Sequence, residues 1–355
     1  MNFFKKHFSR TKLNMKLLLI LLGVFAVFSV LVAIGIGPVT VSPFVVAKIL
    51  ISKIPFVGNF INESWQPVEF NIVMGLRLPR VILGMVVGAS LAVCGVTMQA
   101  LVRNHLAEPF ILGVSSGASA FATLGMIFGA FAFLGTFSLP LSAFMGAFVT
   151  IILVYAISRI RGRINITQLL LSGVALSMIM DGVTSIIKLS APNALGIHNA
   201  EFWMSGSLAG AKWEYLGIPL IVLIVCMVVL MVNYRGLNLL LLGDESAGSL
   251  GINVHRLQKL LVLVASLMTG VTVAVSGSIG FVGLMVPHFT RLLVGGDHKK
   301  VLPVSAFLGG ILVVWVDVFA RILIAPEELP VGILTAIIGG PIFICLLRKN
   351  NGARK

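Results

Sequence analysis

Long apolar runs separated by short polar stretches fill most of the chain, and their lengths predict membrane-spanning helices. A helix needs about 20 apolar residues to cross the hydrocarbon core of a bilayer, and about ten runs approach that length. We number them spans one to ten, at residues 17–36, 80–102, 112–132, 137–158, 166–190, 214–233, 257–276, 279–294, 301–323 and 330–347. The pattern predicts an all-α polytopic membrane protein embedded in the lipid bilayer.

Composition supports this class and excludes others. Hydrophobic residues make up 58% of the chain, charged residues 11%, and the mean hydropathy is +1.07, which excludes a water-soluble globule. The net charge of +14 sits in short clusters between apolar runs, a distribution that argues against nucleic-acid binding. Cys94, Cys226 and Cys345 lie inside apolar runs without metal-ligand spacing. They are therefore interpreted as packing residues, and no metal site is predicted.

Charge asymmetry predicts the orientation. With ten spans both termini lie on one side, and that side holds 19 of the 26 Lys and Arg residues, against 7 on the other. The positive-inside rule then makes both termini cytoplasmic. The predicted organisation is a basic N-terminus (1–16), a transmembrane domain (17–347) and a basic tail (348–355). Arg77, Arg80 and Arg321 are outward-facing exceptions, which either reach toward lipid headgroups or bind a partner.

Two glycine-containing strings suggest an internal repeat. Span two contains "GASLAVCG" and span seven contains "TGVTVAVSG", and the two spans run in opposite directions. Inverted repeats are a common construction in transporters. We therefore hypothesise an inverted repeat of spans two to five and seven to ten.

The polar segment between spans six and seven differs from the other loops. Gly243 and Asp244 can start a short helix, Glu245 suits its first turn, and Gly251 can end it. We call residues 243–256 the knob. It is either an ordinary solvated loop helix or a surface presented to a cytoplasmic partner.

Span five carries two ionisable residues, Asp181 and Lys188, with Ser185 between them. An ionisable side chain inside a membrane usually faces a cavity or a partner. Asp181 either contacts cargo or forms a structural bond to a neighbouring helix. Lys188 lies near the outer end of the span, where it can reach the interface.

Three long stretches resemble a known family. They read "LRLPRVILGMVVGASLAVCGVTMQALVRNHLAEPFILGVSSGA", "GDESAGSLGINVHRLQ" and "GSIGFVGLMVPHFTRLLVGGDHKKVLPVSAFLGG". Together they resemble the FecCD or cobalamin-permease-like family, the permeases of bacterial ABC importers for iron-siderophores, haem and cobalamin. The resemblance covers about residues 70 to 347. It implies a cobalamin-permease-like fold in the bacterial cell membrane, paired with a second permease copy or a paralogue.

The resemblance also implies site residues. An extracytoplasmic substrate-binding protein would place acidic residues on Arg77, Arg80 and Arg321. Coupling helices in the knob would contact an ATPase subunit through Asp244, Glu245, Ala247, Leu250 and Gly251. A cytoplasmic gate would be formed by Asn104, Leu106, Ile166 and Thr167. Span five lines the path in this family, which makes its Asp181 and Ser185 path candidates, although no family motif requires Asp181. Trp203, Met204 and Ser205 are the candidates for the upper vestibule of the substrate path. Within span nine, Asp317 and Arg321 have the spacing of an intrahelical ion pair.

No "GxxxxGK[ST]" phosphate loop occurs in the sequence. ATP and Mg²⁺ are therefore expected on a partner ATPase, with no cofactor and no enzymatic activity on this chain. The expected cargo is an iron(III)-siderophore complex, with haem or cobalamin as alternatives. An ion-coupled secondary transporter using Asp181 is a rival from another class. A membrane-embedded enzyme is a weaker rival, because no acid–base pair occupies facing positions.

Overall fold

The computed structural model describes residues 14–53, 55, 56, 58, 62–160 and 163–352. Most of the predicted basic N-terminus, and residues 353–355 of the predicted tail, lie outside the described residues.

The described residues form an all-helical bundle, as predicted. The helices are α1 (Met15–Gly35), α2 (Pro43–Ser52), α3 (Pro67–Val102), α4 (Val114–Phe128), α5 (Ser138–Ser158), α6 (Ile166–Leu189), α7 (Ala194–Met204), α8 (Gly217–Val232), α9 (Tyr234–Leu240), α10 (Asp244–Ser249), α11 (Val254–Ser276), α12 (Val282–Val294), α13 (His298–Ile322) and α14 (Val331–Gly352). Short 3₁₀ helices occupy Pro109–Leu112, Ala132–Phe137 and Trp213–Tyr215. Two strands, β1 (Arg159–Ile160) and β2 (Arg163–Ile164), pair antiparallel.

Every predicted span contains one of these helices. Seven helical segments in the described part of the chain are long and apolar enough to cross a membrane, and they include α1, α3, α5, α6, α8, α11 and α13. The helices of spans three and eight, α4 and α12, are shorter, with 15 and 13 residues. The helix α2 lies outside the predicted spans, because ten residues fall below the length on which the prediction relied.

Glycine contacts explain how the central helices approach one another. A Cβ atom on Gly88 of α3 would collide with the carbonyl oxygen of Gly309 in α13, and the reverse substitution would collide with Gly88. A Cβ atom on Gly95 of α3 would likewise collide with the carbonyl oxygen of Gly283 in α12, whereas one on Gly283 would meet Leu91 and Pro109. Small residues allow such close backbone packing, which drives helix association where lipid is as apolar as the side chains. Accordingly, 89% of the apolar window of span two is buried inside the protein, a larger share than in any other candidate span of the described residues.

The packing of the helices follows a reciprocal pattern. The helix α3, in span two, packs on α13, in span nine, while α11, in span seven, packs on α5, in span four. In an inverted repeat of spans two to five and seven to ten, span two is equivalent to span seven and span nine is equivalent to span four. A contact between spans two and nine therefore requires one between spans seven and four.

The helix α3 defines two opposite ends of the bundle. Its first half carries Arg77 and Arg80, and its C-terminus is followed by Arg103. At a rise of 1.5 Å per residue, about 35–40 Å separate Arg77 from Arg103. We call these the arginine end and the knob end, because the Arg103 side chain lies 2.8 Å from Asp244 of the knob.

Candidate docking and coupling sites

Two arginines at the arginine end bind the backbone at the end of α1. The guanidinium groups of Arg77 and Arg321 donate hydrogen bonds to the carbonyl oxygens of Ala33, Ile34, Gly35, Ile36 and Val39. The last carbonyls of a helix have no intrahelical partner, and a cation near them is favoured by the helix dipole. Arg77 and Arg321 therefore fix the end of α1 against α3 and α13.

Arg80 binds two carboxylates on opposite sides of its guanidinium. Its Nη2 atom lies 2.8 Å from Asp317 Oδ1, and its Nε donates to the same carboxylate. Its Nη1 atom lies 2.8 Å from Glu328 Oε2 and 3.0 Å from Glu328 Oε1. Asp317 and Glu328 follow Arg80 by 237 and 248 positions in the sequence, so the fold is needed to bring them together.

Asp317 also pairs with Arg321, as the spacing predicted. Arg321 Nε lies 3.2 Å from Asp317 Oδ2 within α13. Asp317 is 1% exposed and therefore links both arginines from a buried position.

The three arginines border a cavity of about 360 Å³, which we call the arginine cavity. Its lining residues are Pro38, Val39, Ile72, Leu76, Arg77, Arg80, Ala209, Ala211, Arg321 and Glu328. Arg77, Arg80 and Arg321 are only 6%, 7% and 2% exposed. Such burial, with partners inside the protein, does not fit side chains extended toward lipid headgroups. Docking of a partner at these arginines stays a prediction.

The knob contains the predicted short helix. The helix α10 begins after Gly243, with φ 103°, and the chain leaves it through Gly251, with φ 86°. These conformations favour glycine, because a Cβ atom is strained there. Glu245 and Leu250 are exposed, whereas Ala247 is buried beneath the helix.

Polar contacts connect the knob to the central helices. Besides its ion pair with Arg103, Asp244 accepts a hydrogen bond from Gln258 of α11, at 3.3 Å. Arg103 itself ends α3 with φ 56°. The knob is thus attached to both α3 and α11.

The predicted gate residues lie at two helix boundaries. Asn104 is exposed after the end of α3, and its side chain accepts a hydrogen bond from the Leu106 backbone at 2.9 Å. Ile166 and Thr167 begin α6, and Thr167 is exposed. No hydrogen bond within the described residues joins the two pairs.

The predicted path residues of α6 lie on its exposed side. Asp181 is exposed, and within the described part of the chain no side chain forms a hydrogen bond or ion pair with its carboxylate. Ser185 donates to the Asp181 carbonyl at 2.9 Å. Lys188 instead forms an ion pair with Glu201 of α7, at 3.1 Å.

The other predicted path residues are packed at the end of α7. The Trp203 and Ser205 carbonyls contact Gly277 and Gly332 so closely that a Cβ atom on either glycine would collide. The Met204 sulfur lies 3.5 Å from Thr123 Oγ1. These residues therefore connect α7 with the turn before α12, with the first turn of α14 and with α4.

Sequence patterns did not identify Glu328 or Glu108 as functional residues. Glu328 follows α13 in an exposed loop, and only the fold brings it to Arg80. Glu108 accepts a hydrogen bond from the Phe281 backbone at 2.6 Å, which joins the turn after α3 to the start of α12. The nearby "AEP" and "ELP" strings carry no periodicity that would indicate either contact.

Comparison with known proteins identifies the family. Residues 24–349 match the model of the FecCD transport family. The chain belongs to this family. It is 42% identical over 283 residues to the cobalamin import system permease protein BtuC of Halobacterium salinarum, covering 79% of this chain and 75% of that protein. It is 40% identical over 296 residues to the Fe(3+) dicitrate transport system permease protein FecD of Escherichia coli, covering 83% and 91%.

A solved structure shares the fold. An inward-facing structure of a metal-chelate type ABC transporter superposes with a TM-score of 0.79 and 31% identity, covering 94% of this chain and 99% of that chain. The chain is therefore an ABC importer permease and a multi-pass membrane protein. Its relatives are transport subunits, and permeases of this family function with ATPase and substrate-binding partners.

Proposed function

We propose that this chain is the transmembrane subunit of a binding-protein-dependent importer that moves an iron(III)-siderophore complex into the bacterial cytoplasm. The FecCD match over residues 24–349 carries the proposal. Similarity to an Fe(3+) dicitrate permease and to a metal-chelate type transporter supports a ferric chelate as cargo. Similarity to a cobalamin permease supports cobalamin as the alternative cargo, and haem remains a third.

In this proposal the two ends of the bundle have different partners. The arginine end faces the extracytoplasmic side and receives acidic side chains of a substrate-binding protein on Arg77, Arg80 and Arg321. Both termini and the knob are cytoplasmic. The knob contacts an ATPase subunit that binds ATP and Mg²⁺, while Asn104 and Thr167 contribute to the inner gate. The opposite positions of Arg77 and Arg103 along α3 support this assignment.

The exposed side of α6 faces the path that the chain forms with a second permease copy or a paralogue. Its candidate span is only 22% buried inside the chain. The spans of α1 and α8 are equally exposed, but the helices Met15–Gly35 and Gly217–Val232 contain no carboxylate, and Glu214 precedes α8 at the end of its span. A carboxylate facing hydrocarbon is costly, so the exposed Asp181 indicates a side turned away from lipid.

Co-purification tests the proposed coupling. Gly251→Pro should disrupt the knob, because proline fixes φ near −65° and removes the N–H that bonds to Gly248 at 3.0 Å. Gly248→Ala is the matched control, since open space surrounds a Cβ atom at that position. We expect an ATPase subunit to be recovered with the wild type and Gly248→Ala, but lost with Gly251→Pro while the permease stays folded. Recovery of no ATPase with a folded wild-type chain would contradict the proposal.

Uptake measurements test the cargo. Cells that lack this permease should lose uptake of a ⁵⁵Fe-labelled siderophore complex and regain it with the wild-type chain. Retained iron uptake, with loss of labelled cobalamin or haem uptake, would replace the cargo while leaving the importer assignment intact.

Ion-coupled secondary transport is the second candidate function, and the exposed Asp181 is the observation that favours it. It requires uptake without ATP hydrolysis. Transport by the purified chain alone in vesicles, driven by a proton or sodium gradient and abolished by Asp181→Asn, would support this rival.

A further inference from the structure

The arginine cavity holds an incomplete balance of charge. Its surrounding cluster combines the cations of Arg77, Arg80 and Arg321 with the carboxylates of Asp317 and Glu328. Within the described residues, Arg77 forms no ion pair and binds only backbone carbonyls. The cluster therefore has one more positive than negative charge. This excess attracts a carboxylate that arrives from outside the chain.

The two carboxylates that hold Arg80 differ in their surroundings. The Asp317 side chain is 1% exposed and binds both Arg80 and Arg321, so it fixes the arginines in place. The Glu328 side chain is 27% exposed and binds Arg80 alone, through Nη1. Glu328 belongs to the segment between α13 and α14, whose residues 323–327 are all exposed. A partly exposed ion pair is weak, whereas breaking a buried one is costly.

We propose that Glu328 is a built-in competitor of the docking partner. In the absence of the binding protein, its carboxylate occupies Arg80 Nη1 at the edge of the arginine cavity. On docking, an acidic side chain of the binding protein takes that position and Glu328 moves toward solvent. The inference rests on the proposed function, because it requires that Arg80 receives a carboxylate of the binding protein.

Exchange of one carboxylate for another explains why Arg80 has one buried and one partly exposed carboxylate partner. The buried Asp317 keeps the guanidinium in a fixed orientation throughout the exchange, so the docking geometry is preorganised. The partly exposed Glu328 returns when the partner leaves, so Arg80 Nη1 regains a carboxylate. Return of Glu328 also assists release, and it thereby shortens the lifetime of the docked complex.

The neighbouring residue Glu327 provides a matched control. It carries the same charge one position earlier, is exposed, and forms no hydrogen bond or ion pair with any described residue. Glu327→Gln and Glu328→Gln therefore change the net charge of the docking face equally. Long-range charge acts mainly on the association rate and is screened by salt, whereas loss of a contact acts mainly on dissociation. The two effects separate in a kinetic measurement.

The experiment uses the full chain with its ATPase in nanodiscs, and as analyte the purified binding protein that supports uptake of the same cargo. Surface plasmon resonance at about 50 and 300 mM salt compares the wild type, Glu327→Gln, Glu328→Gln and Glu328→Asp. Between these concentrations the Debye length changes by about two- to threefold. We expect Glu328→Gln to slow dissociation by about two- to fivefold at both salt concentrations, the effect size of partly exposed ion pairs. Glu328→Asp, with a side chain one methylene shorter, should behave similarly. Glu327→Gln should change only the association rate at low salt.

Three results would overturn the inference. Dissociation from Glu328→Gln as fast as from the wild type, with unchanged thermal stability, would show that Glu328 does not compete. Faster dissociation would show that Glu328 supports docking. Binding by the wild type in either case would leave the proposed function intact, whereas no binding by any variant would contradict the proposed function and this inference together.

Discussion

The guanidinium of Arg80 lies 2.8 Å from the carboxylate of Asp317 and joins α3 to α13 at the arginine end. Both residues are buried, and removal of one partner from a buried ion pair typically costs about 3–5 kcal/mol. We therefore expect Arg80→Ala and Asp317→Asn each to lower the Tm of the purified permease, measured by thermal unfolding in detergent. Arg256→Ala, at an exposed position, is the control. Equal Tm values for Arg80→Ala and Arg256→Ala would contradict the structural role of the pair.

A second prediction concerns the contact between α3 and α13. Gly88→Ala places a methyl group against the Gly309 carbonyl and should destabilise the bundle by about 1–3 kcal/mol, the usual effect of overpacking. Gly23→Ala in α1 adds the same methyl group where nothing lies within 4 Å. Since alanine favours helices over glycine, Gly23→Ala should not lower the Tm. A Tm for Gly88→Ala equal to that of Gly23→Ala would refute the close approach.

The attachment of the knob can be tested at Arg103. Arg103→Gln removes the 2.8 Å ion pair with Asp244. The side chains of Arg103 and Asp244 are 32% and 47% exposed. Such exposed pairs contribute about 0.2–1 kcal/mol, so the Tm should change little. A less firmly held knob should nevertheless lower cargo-dependent stimulation of the ATPase in proteoliposomes. Arg235→Gln, at an exposed position outside the knob, should leave stimulation unchanged. Full stimulation by Arg103→Gln would show that the ion pair does not contribute to coupling.

Asp181 offers a test of cargo recognition. If its exposed carboxylate lines the path, Asp181→Asn should change the uptake of one ferric chelate more than another, because charged and neutral chelates respond differently to loss of a negative charge. Competition uptake with a cationic and an anionic ferric siderophore measures this difference. Val183→Ala, at another exposed position of α6, is the control. An equal loss of both uptakes together with protein level would instead support a structural bond.

A pH-dependent prediction follows from Asp297, which precedes α13. Burial raises the pKa of its carboxyl, but hydrogen bonds from the Asn238 side chain and the Lys299 backbone, with nearby positive charge, bring it below the ordinary 3.8. A carboxyl with a lowered pKa stabilises the folded state above its unfolded pKa, and this contribution is lost as the pH falls.

Stability should therefore fall between about pH 5 and pH 3 in the wild type, and less steeply in Asp297→Asn. Thermal unfolding across this range measures the difference. Ser249→Ala, at an exposed position of the knob, should keep the wild-type slope, because serine does not titrate in this range. Parallel pH profiles of the wild type and Asp297→Asn would contradict the assignment.

The sequence predicted the features that depend on neighbouring residues. Apolar run length located a helix in every span, and Gly243 and Gly251 marked the ends of the short knob helix. The spacing of Asp317 and Arg321 predicted their ion pair. These features need only helix geometry, which is the same wherever the helix lies in the bundle.

Features that depend on distant residues were not predictable in this way. Arg80 was expected to be an accessible docking cation, but the fold buries it between Asp317 and Glu328. Arg77 was likewise expected at the surface, but it is buried because it donates hydrogen bonds to carbonyl groups at the C-terminal end of α1. Charge reversal at Arg80 would consequently disturb folding and docking together. For this reason Glu328 is a better position than Arg80 at which to test docking.

The close contact of Gly88 with Gly309 has a mechanical consequence. Helices whose backbones are in contact cannot slide past one another without first separating, so α3 and α13 should move together as one rigid unit. One end of α3 carries Arg80, and the other is tied through Arg103 to the knob. A force applied at either end therefore tilts the same rigid body.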